Sequence, residues 1–157
     1  MTIGFNHLGR HGRLGNQMFQ YAGLRGIAAH KGYDFAIPPS DFNDEWNDHQ
    51  LFEAFKLTGL TNINSIPGPY VQEAHFHFDQ NLFDNMPDGH NVYAYLQSTK
   101  YFEHIEEEIR EDFEFKNDIL LPCKEMMDTL ENPIALHVRR GDYIQNCDNH
   151  PPCPKEY

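Results

Sequence analysis

Short apolar runs and longer helical repeats alternate along this chain, and that alternation predicts an α/β fold. Residues 2–7, with Ile3 and Phe5, read as a first strand. From Asn16 to about Lys31 the period changes. Met18, Tyr21, Ala22, Ile27 and Ala28 share one helical face, which Phe19 and Leu24 widen. Gly32 follows as the natural C-cap. Gly23 and Gly26 weaken this helix by roughly 1 kcal/mol each relative to alanine, which suits a helix lying close against a sheet. Residues 33–37 read as a second strand, stopped by Pro38-Pro39. Residues 2–37 therefore predict a βαβ unit with a right-handed crossover.

Beyond Pro39 the pattern loosens. Residues 38–69 hold turn formers and one short amphipathic segment near Leu51–Leu57. Val71–Phe78 alternates as an extended segment does, and Asn91–Leu96 reads as another short strand. Thr99 to about Phe113 predicts a continuous helix, with Thr99 as cap and Tyr101, Phe102, Ile105 and Ile109 at helical spacing. Its glutamates at 103, 106, 107, 108 and 111 read as a solvated face. A further helix is expected over about 118–130, with Pro122 marking a start or a kink. Ile134-Ala135-Leu136-His137-Val138 reads as a buried strand.

Composition narrows the classes of function. The 157 residues, 39% hydrophobic and 13% aromatic, suffice for one domain with a real core. A net charge of −12 argues against a nucleic-acid partner, whose phosphates need a basic face. Three cysteines form too sparse a set for a disulfide framework and suit a reducing compartment. The sequence contains no transmembrane run and no signal-peptide layout, so the expected location is cytoplasmic, at most peripheral to a membrane face.

In so acidic a chain, arginines beside glycines stand out. Gly9-Arg10-His11-Gly12-Arg13-Leu14-Gly15-Asn16 is a glycine-rich turn leading from a strand into a helix, a geometry that aims free backbone N–H groups at an anion. It is neither the G-x-G-x-x-G nor the P-loop pattern, and a purely structural turn remains open. Arg139-Arg140-Gly141-Asp142-Tyr143 ends the last apolar segment and offers a second anion site. The alternative there is that an arginine pairs with Asp142 and only shapes the turn. His75 and His77 share a face if extended, but no third metal ligand accompanies them. Cys147, Asp148, His150 and Cys153 fall short of a zinc set. No metal site is expected.

The stretch Gly12–Ala22 closely resembles the N-terminal motif of the α-1,2-fucosyltransferases, glycosyltransferase family eleven. His137-Val138-Arg139-Arg140-Gly141-Asp142-Tyr143 resembles the H-x-R-R-G-D-Y motif of that family, shared more loosely with α-1,6- and protein O-fucosyltransferases. Tyr95–Phe102, with Ile109, Arg110 and Phe113, is similar to its middle region. The resemblance implies transfer of L-fucose from GDP-β-L-fucose to a galactose hydroxyl of a glycan, with inversion and without a required metal or other cofactor. It implies a GT-B enzyme with two Rossmann-like lobes. Arg139 and Arg140 would then meet the donor pyrophosphate, and Asp142 would take the acceptor proton or hold those arginines. Arg13, Gly15, Asn16 and His137 would line the substrate cleft; His11 and His137 are further candidates for the proton.

The resemblance spans residues 3–143 and then stops. At about 100–150 residues per domain, residues 1–157 make roughly one lobe. The expectation is an incomplete Rossmann-like lobe, the N-terminal part of a fucosyltransferase with its second lobe absent and little activity alone. A non-catalytic nucleotide-sugar or carbohydrate-binding module, or a protein O-fucosyltransferase relative, remains open.

Overall fold

Strand β1 (Thr2–Gly4) lies between two parallel neighbours. In the computed structural model, which describes residues 1–40, 50–138, 144 and 148, β1 leads to helix α1 (Leu14–Lys31) and then to β2 (Asp34–Ile37). Ile3 stands opposite Phe35 across the β1–β2 ladder. This is the expected βαβ unit, and Gly32 closes α1 in the left-handed conformation with its N–H on Ala28 and Ala29.

The remaining strands extend the sheet on both sides. β3 (Asn62–Ile63) joins β2, while β4 (Tyr70–Gln72) and β5 (Asn91–Tyr93) continue beyond β1. The order is β3-β2-β1-β5-β4, all parallel. Parallel strands require crossover connections, and α3 (Gln80–Asn85) supplies the one from β4 to β5. The short helix α2 is Leu51–Ala54, within the amphipathic segment. The core gathers Ile3, Phe5, Leu24, Ile27, Ile37 and Leu96, all fully buried.

The predicted helix over 99–113 is broken. Two 3-10 turns, Thr99–Tyr101 and Glu103–Ile105, precede α4 (Glu106–Asp112). Phe102 (φ −139°) and Ile105 (φ −129°) leave helical geometry, and Thr99 caps nothing: Ser98 stands before the first turn with no side-chain cap bond. The break follows from close packing on α1. A Cβ added to Gly26 would stand within 1.9 Å of the Tyr101 carbonyl oxygen. The glycines of α1 thus admit this turn and the Leu96 side chain, beside Gly23, rather than the sheet expected from sequence. Gly26→Ala must displace the turn and is expected to cost about 1–3 kcal/mol, read as a lower urea midpoint. An unchanged midpoint contradicts this packing.

The chain divides into two units, residues 1–120 and 121–157. Helix α5 (Asn117–Asp128) begins before Pro122 and carries it in its interior. The buried strand expected at 134–138 is not formed. Ile134, Leu136 and Val138 are 94%, 86% and 63% exposed, in no regular element. A strand needs a neighbouring ladder, and the described residues of this unit include no other strand for it to join.

Candidate functional site

Helix α1 sets the geometry of the glycine-rich turn. After β1 the chain turns through residues 6–13, with Gly9 at φ 90° and Gly12 at φ 93°. These values belong to the left-handed region that glycine alone adopts cheaply. Arg13, extended, is the N-cap, and its carbonyl accepts from the N–H groups of Asn16 and Gln17. No acidic residue occupies the first turn of α1 to offset its dipole.

Three polar side chains of the motif hold this turn. Gln20 Nε2 donates to the His11 carbonyl at 2.9 Å. Gln17 Oε1 accepts from the Gln50 N–H at 2.8 Å. Asn16 Oδ1 accepts from Gln97 Nε2 at 2.7 Å, tying the turn to the segment that leaves β5. Gln17 and Gln20 are fully buried. Sequence periodicity placed neither inside, because glutamine carries no apolar signal; their neighbouring glycines were the available clue.

Among the predicted site residues, Arg13, Gly15 and Asn16 come together in the first turn of α1. Arg13 and Gly15 are exposed, and a Cβ added at Gly15 meets nothing within 4 Å. Asn16 is half-buried and engaged with Gln97, so it joins two segments. His137 is exposed and lies in the second unit. Arg139, Arg140 and Asp142 lie outside the described residues, as do Cys147, His150 and Cys153.

A carboxylate that sequence pattern did not single out anchors the helix behind the site. Asp112, fully buried, accepts from Tyr21 Oη at 2.5 Å, from the Gly59 N–H at 2.6 Å and from Thr58 Oγ1 at 3.2 Å, and it pairs with Arg25. Burial, then the bond to Asp112, pushes the Tyr21 phenol well above its usual value of 10. His75 and His77 do not extend a strand, since β4 ends at Gln72; their rings stack at 3.5 Å within a run of bends. Among the described residues no group of three or more His, Cys, Asp or Glu is arranged to hold a metal. No described helix is long and apolar enough to cross a membrane.

No family model matches the chain, and no solved structure matches it. Characterised relatives do. The chain is 33% identical over 158 residues to a galactoside 2-α-L-fucosyltransferase of Caenorhabditis elegans, covering 84% of this chain and 36% of that protein. It is 27% identical over 174 residues to an α-1,2-colitosyltransferase of Escherichia coli, covering 93% and 59%. It is 26% identical over 144 residues to galactoside α-(1,2)-fucosyltransferase 2 of Hylobates lar, covering 85% and 40%. The chain thus spans between 36% and 59% of the length of these relatives. Over that part of their length, the chain is similar to α-1,2-fucosyltransferases and to an α-1,2-colitosyltransferase.

Proposed function

We propose that this chain is part of a galactoside α-1,2-fucosyltransferase, which moves L-fucose from GDP-β-L-fucose to a galactose hydroxyl of a glycan with inversion. The observation that carries the reading is the Gly12–Ala22 motif, which follows β1 as the end of a turn and the start of α1, at the carboxyl edge of a parallel sheet, in a chain whose relatives include α-1,2-fucosyltransferases. Ligands of open α/β sheets sit outside the carboxyl ends of the strands. In this reading the lobe is one wall of a GT-B cleft, lined by Arg13, Gly15 and Asn16, and His137 is a separate substrate-binding candidate.

Arg139 and Arg140 neutralise the charge that builds on the departing GDP, so the reaction calls for no divalent metal. Asp142 holds those arginines or accepts the acceptor proton. A cytoplasmic setting, at most peripheral to a membrane, goes with the reading. A second sugar is favoured by one observation: the relative covering 93% of this chain carries a colitosyltransferase name. Nucleotide-activated fucose and colitose, supplied separately, distinguish the two.

The test gives the product of the complete reading frame GDP-fucose with either lactose or a folded protein acceptor. Transfer to lactose supports the proposal. Transfer to the protein alone favours an O-fucosyltransferase, and donor binding without turnover favours a non-catalytic module; either contradicts it. Gly15→Ala gives a sharper local check. The open space at Gly15 predicts a gain of about 0.5–1 kcal/mol in stability from the added helix propensity. A methyl group facing the donor is expected to raise the KM for GDP-fucose about tenfold, equivalent to roughly 1.4 kcal/mol. Unchanged donor KM removes Gly15 from the donor wall.

A further inference from the structure

Beside the glycine-rich turn, the carboxyl ends of β4 and β5 and the chain that follows them line an open pocket of about 370 Å³. His11 from the turn, Glu73, His75 and Phe76 after β4, and Tyr93 and Tyr95 at the end of β5 line it. We propose that this aromatic pocket binds a neutral pyranose ring, and that its occupant is the acceptor saccharide rather than the donor nucleotide. That the saccharide is an acceptor rests on the function proposed above; that the pocket suits a neutral sugar rests on its walls.

Those walls are rings set at angles. His11 meets Tyr93 edge to face at 4.8 Å and 84°, and Tyr95 at 6.0 Å. Phe76 leans on Tyr95 at 5.7 Å and is itself 74% exposed, a large apolar ring held at the mouth. Aromatic faces carry negative π density, which attracts the slightly positive C–H face of a pyranose. Glutamine, histidine and tyrosine atoms at the rim match ring hydroxyls. The volume falls within the range of about 300–1,000 Å³ usual for small-ligand sites.

The same lining disfavours a diphosphate. It contains no lysine or arginine, and it carries the Glu73 carboxylate. A pyrophosphate there would meet charge of its own sign with no lysine or arginine in the lining to offset it.

The pocket is also preorganised. Buried Glu73 accepts from the N–H groups of Tyr95 at 3.1 Å and Leu96 at 3.3 Å and from Tyr101 Oη at 2.9 Å. Tyr101 Oη accepts in turn from the Asp79 N–H at 2.8 Å. The Asp79 carboxylate accepts from the Ala74 N–H at 3.1 Å and the Leu82 N–H at 3.0 Å, capping α3. One network therefore fixes both the loop that carries Phe76 and the segment that carries Tyr95. Fixing a site before binding lowers the ordering cost of a weakly held neutral ligand.

The experiment measures binding of lactose and of GDP to this chain by saturation-transfer NMR, with Phe76→Ala and Tyr95→Ala beside it and folding checked by circular dichroism. Phe76 is exposed, so its variant tests the wall without removing core. Millimolar lactose binding, weakened about tenfold or more in folded Phe76→Ala with GDP binding unchanged, supports the proposal. Absence of lactose binding, equal affinity in both folded variants, or loss of GDP binding in place of lactose binding overturns it. The acceptor KM of the complete protein separates this result from the transferase reading. Phe76→Ala raising the KM for lactose but not for GDP-fucose supports both. Normal transfer with an unchanged lactose KM removes the pocket and leaves the transferase. Lactose binding through Phe76 without any transfer leaves the pocket and removes the transferase.

Discussion

Replacing Arg139 or Arg140 by alanine is expected to slow fucosyl transfer by the complete protein about 100- to 1,000-fold, the usual effect of removing one preorganised donor from a developing anion. As GDP leaves, negative charge grows on the pyrophosphate. A guanidinium stays charged at any working pH and meets two oxygens at once. Lysine keeps the charge but loses the fork, so Arg→Lys is expected to recover only part of the rate. The effect belongs in kcat, because the interaction strengthens as the bond breaks. Steady-state kinetics with GDP-fucose and lactose provide the check. An arginine that only shapes its turn against Asp142 behaves otherwise: its loss lowers thermal stability and leaves kcat of the folded fraction near the parent value.

Asp112→Asn is expected to be the most damaging single change to the fold. The carboxylate takes four donors from two separate stretches of chain, α1 and the segment at Thr58-Gly59. Asparagine leaves the Arg25 guanidinium, whose side chain is 16% exposed, facing an amide that carries no charge. Breaking a buried pair on one side costs about 3–5 kcal/mol. At this chain length that lowers Tm by roughly 10 °C or more. A differential scanning experiment decides; a shift of only a degree or two means that water already serves Arg25.

The same network fixes the sign of an alkaline effect. The folded-state pKa of Tyr21 lies above its usual value of 10 because of burial and Asp112, and that of Tyr101 lies above it because of burial, partly opposed by the Asp79 N–H, and Glu73. The unfolded chain therefore loses these protons first. Stability is constant below about pH 10 with respect to these groups and falls as pH rises beyond it. Tyr21→Phe is expected to flatten that fall.

These residues also mark where pattern in the sequence informs and where it stops. The βαβ unit could be read directly, because Ile3, the 16–31 repeat, Gly32 and Pro38 are all local signals. The 99–113 segment misled because Tyr101 and Ile109 keep helical spacing while two 3-10 turns intervene; the cause is Gly26, more than seventy residues away. Asp112 drew no reading of its own beside the glutamates of its helix. Its partners Tyr21, Arg25 and Thr58 lie 91, 87 and 54 residues distant, so nothing nearby announces its burial. The aromatic pocket was hidden for the same reason. His11, Phe76 and Tyr95 meet only because β5 pairs with β1 out of sequence order. The strand expected at Ile134–Val138 fails differently: its composition suits a buried strand, but no described ladder receives it.

One measurement bears most directly on the assignment: the linkage of the product formed when the complete protein acts on GDP-fucose and a terminal β-galactoside. The prediction is fucose α-linked to the galactose 2-hydroxyl, seen by NMR as a downfield shift of the substituted ring position and lost when Arg140 is replaced by alanine. Fucose at another position, or no product from a folded protein that also fails to bind GDP-fucose, contradicts it.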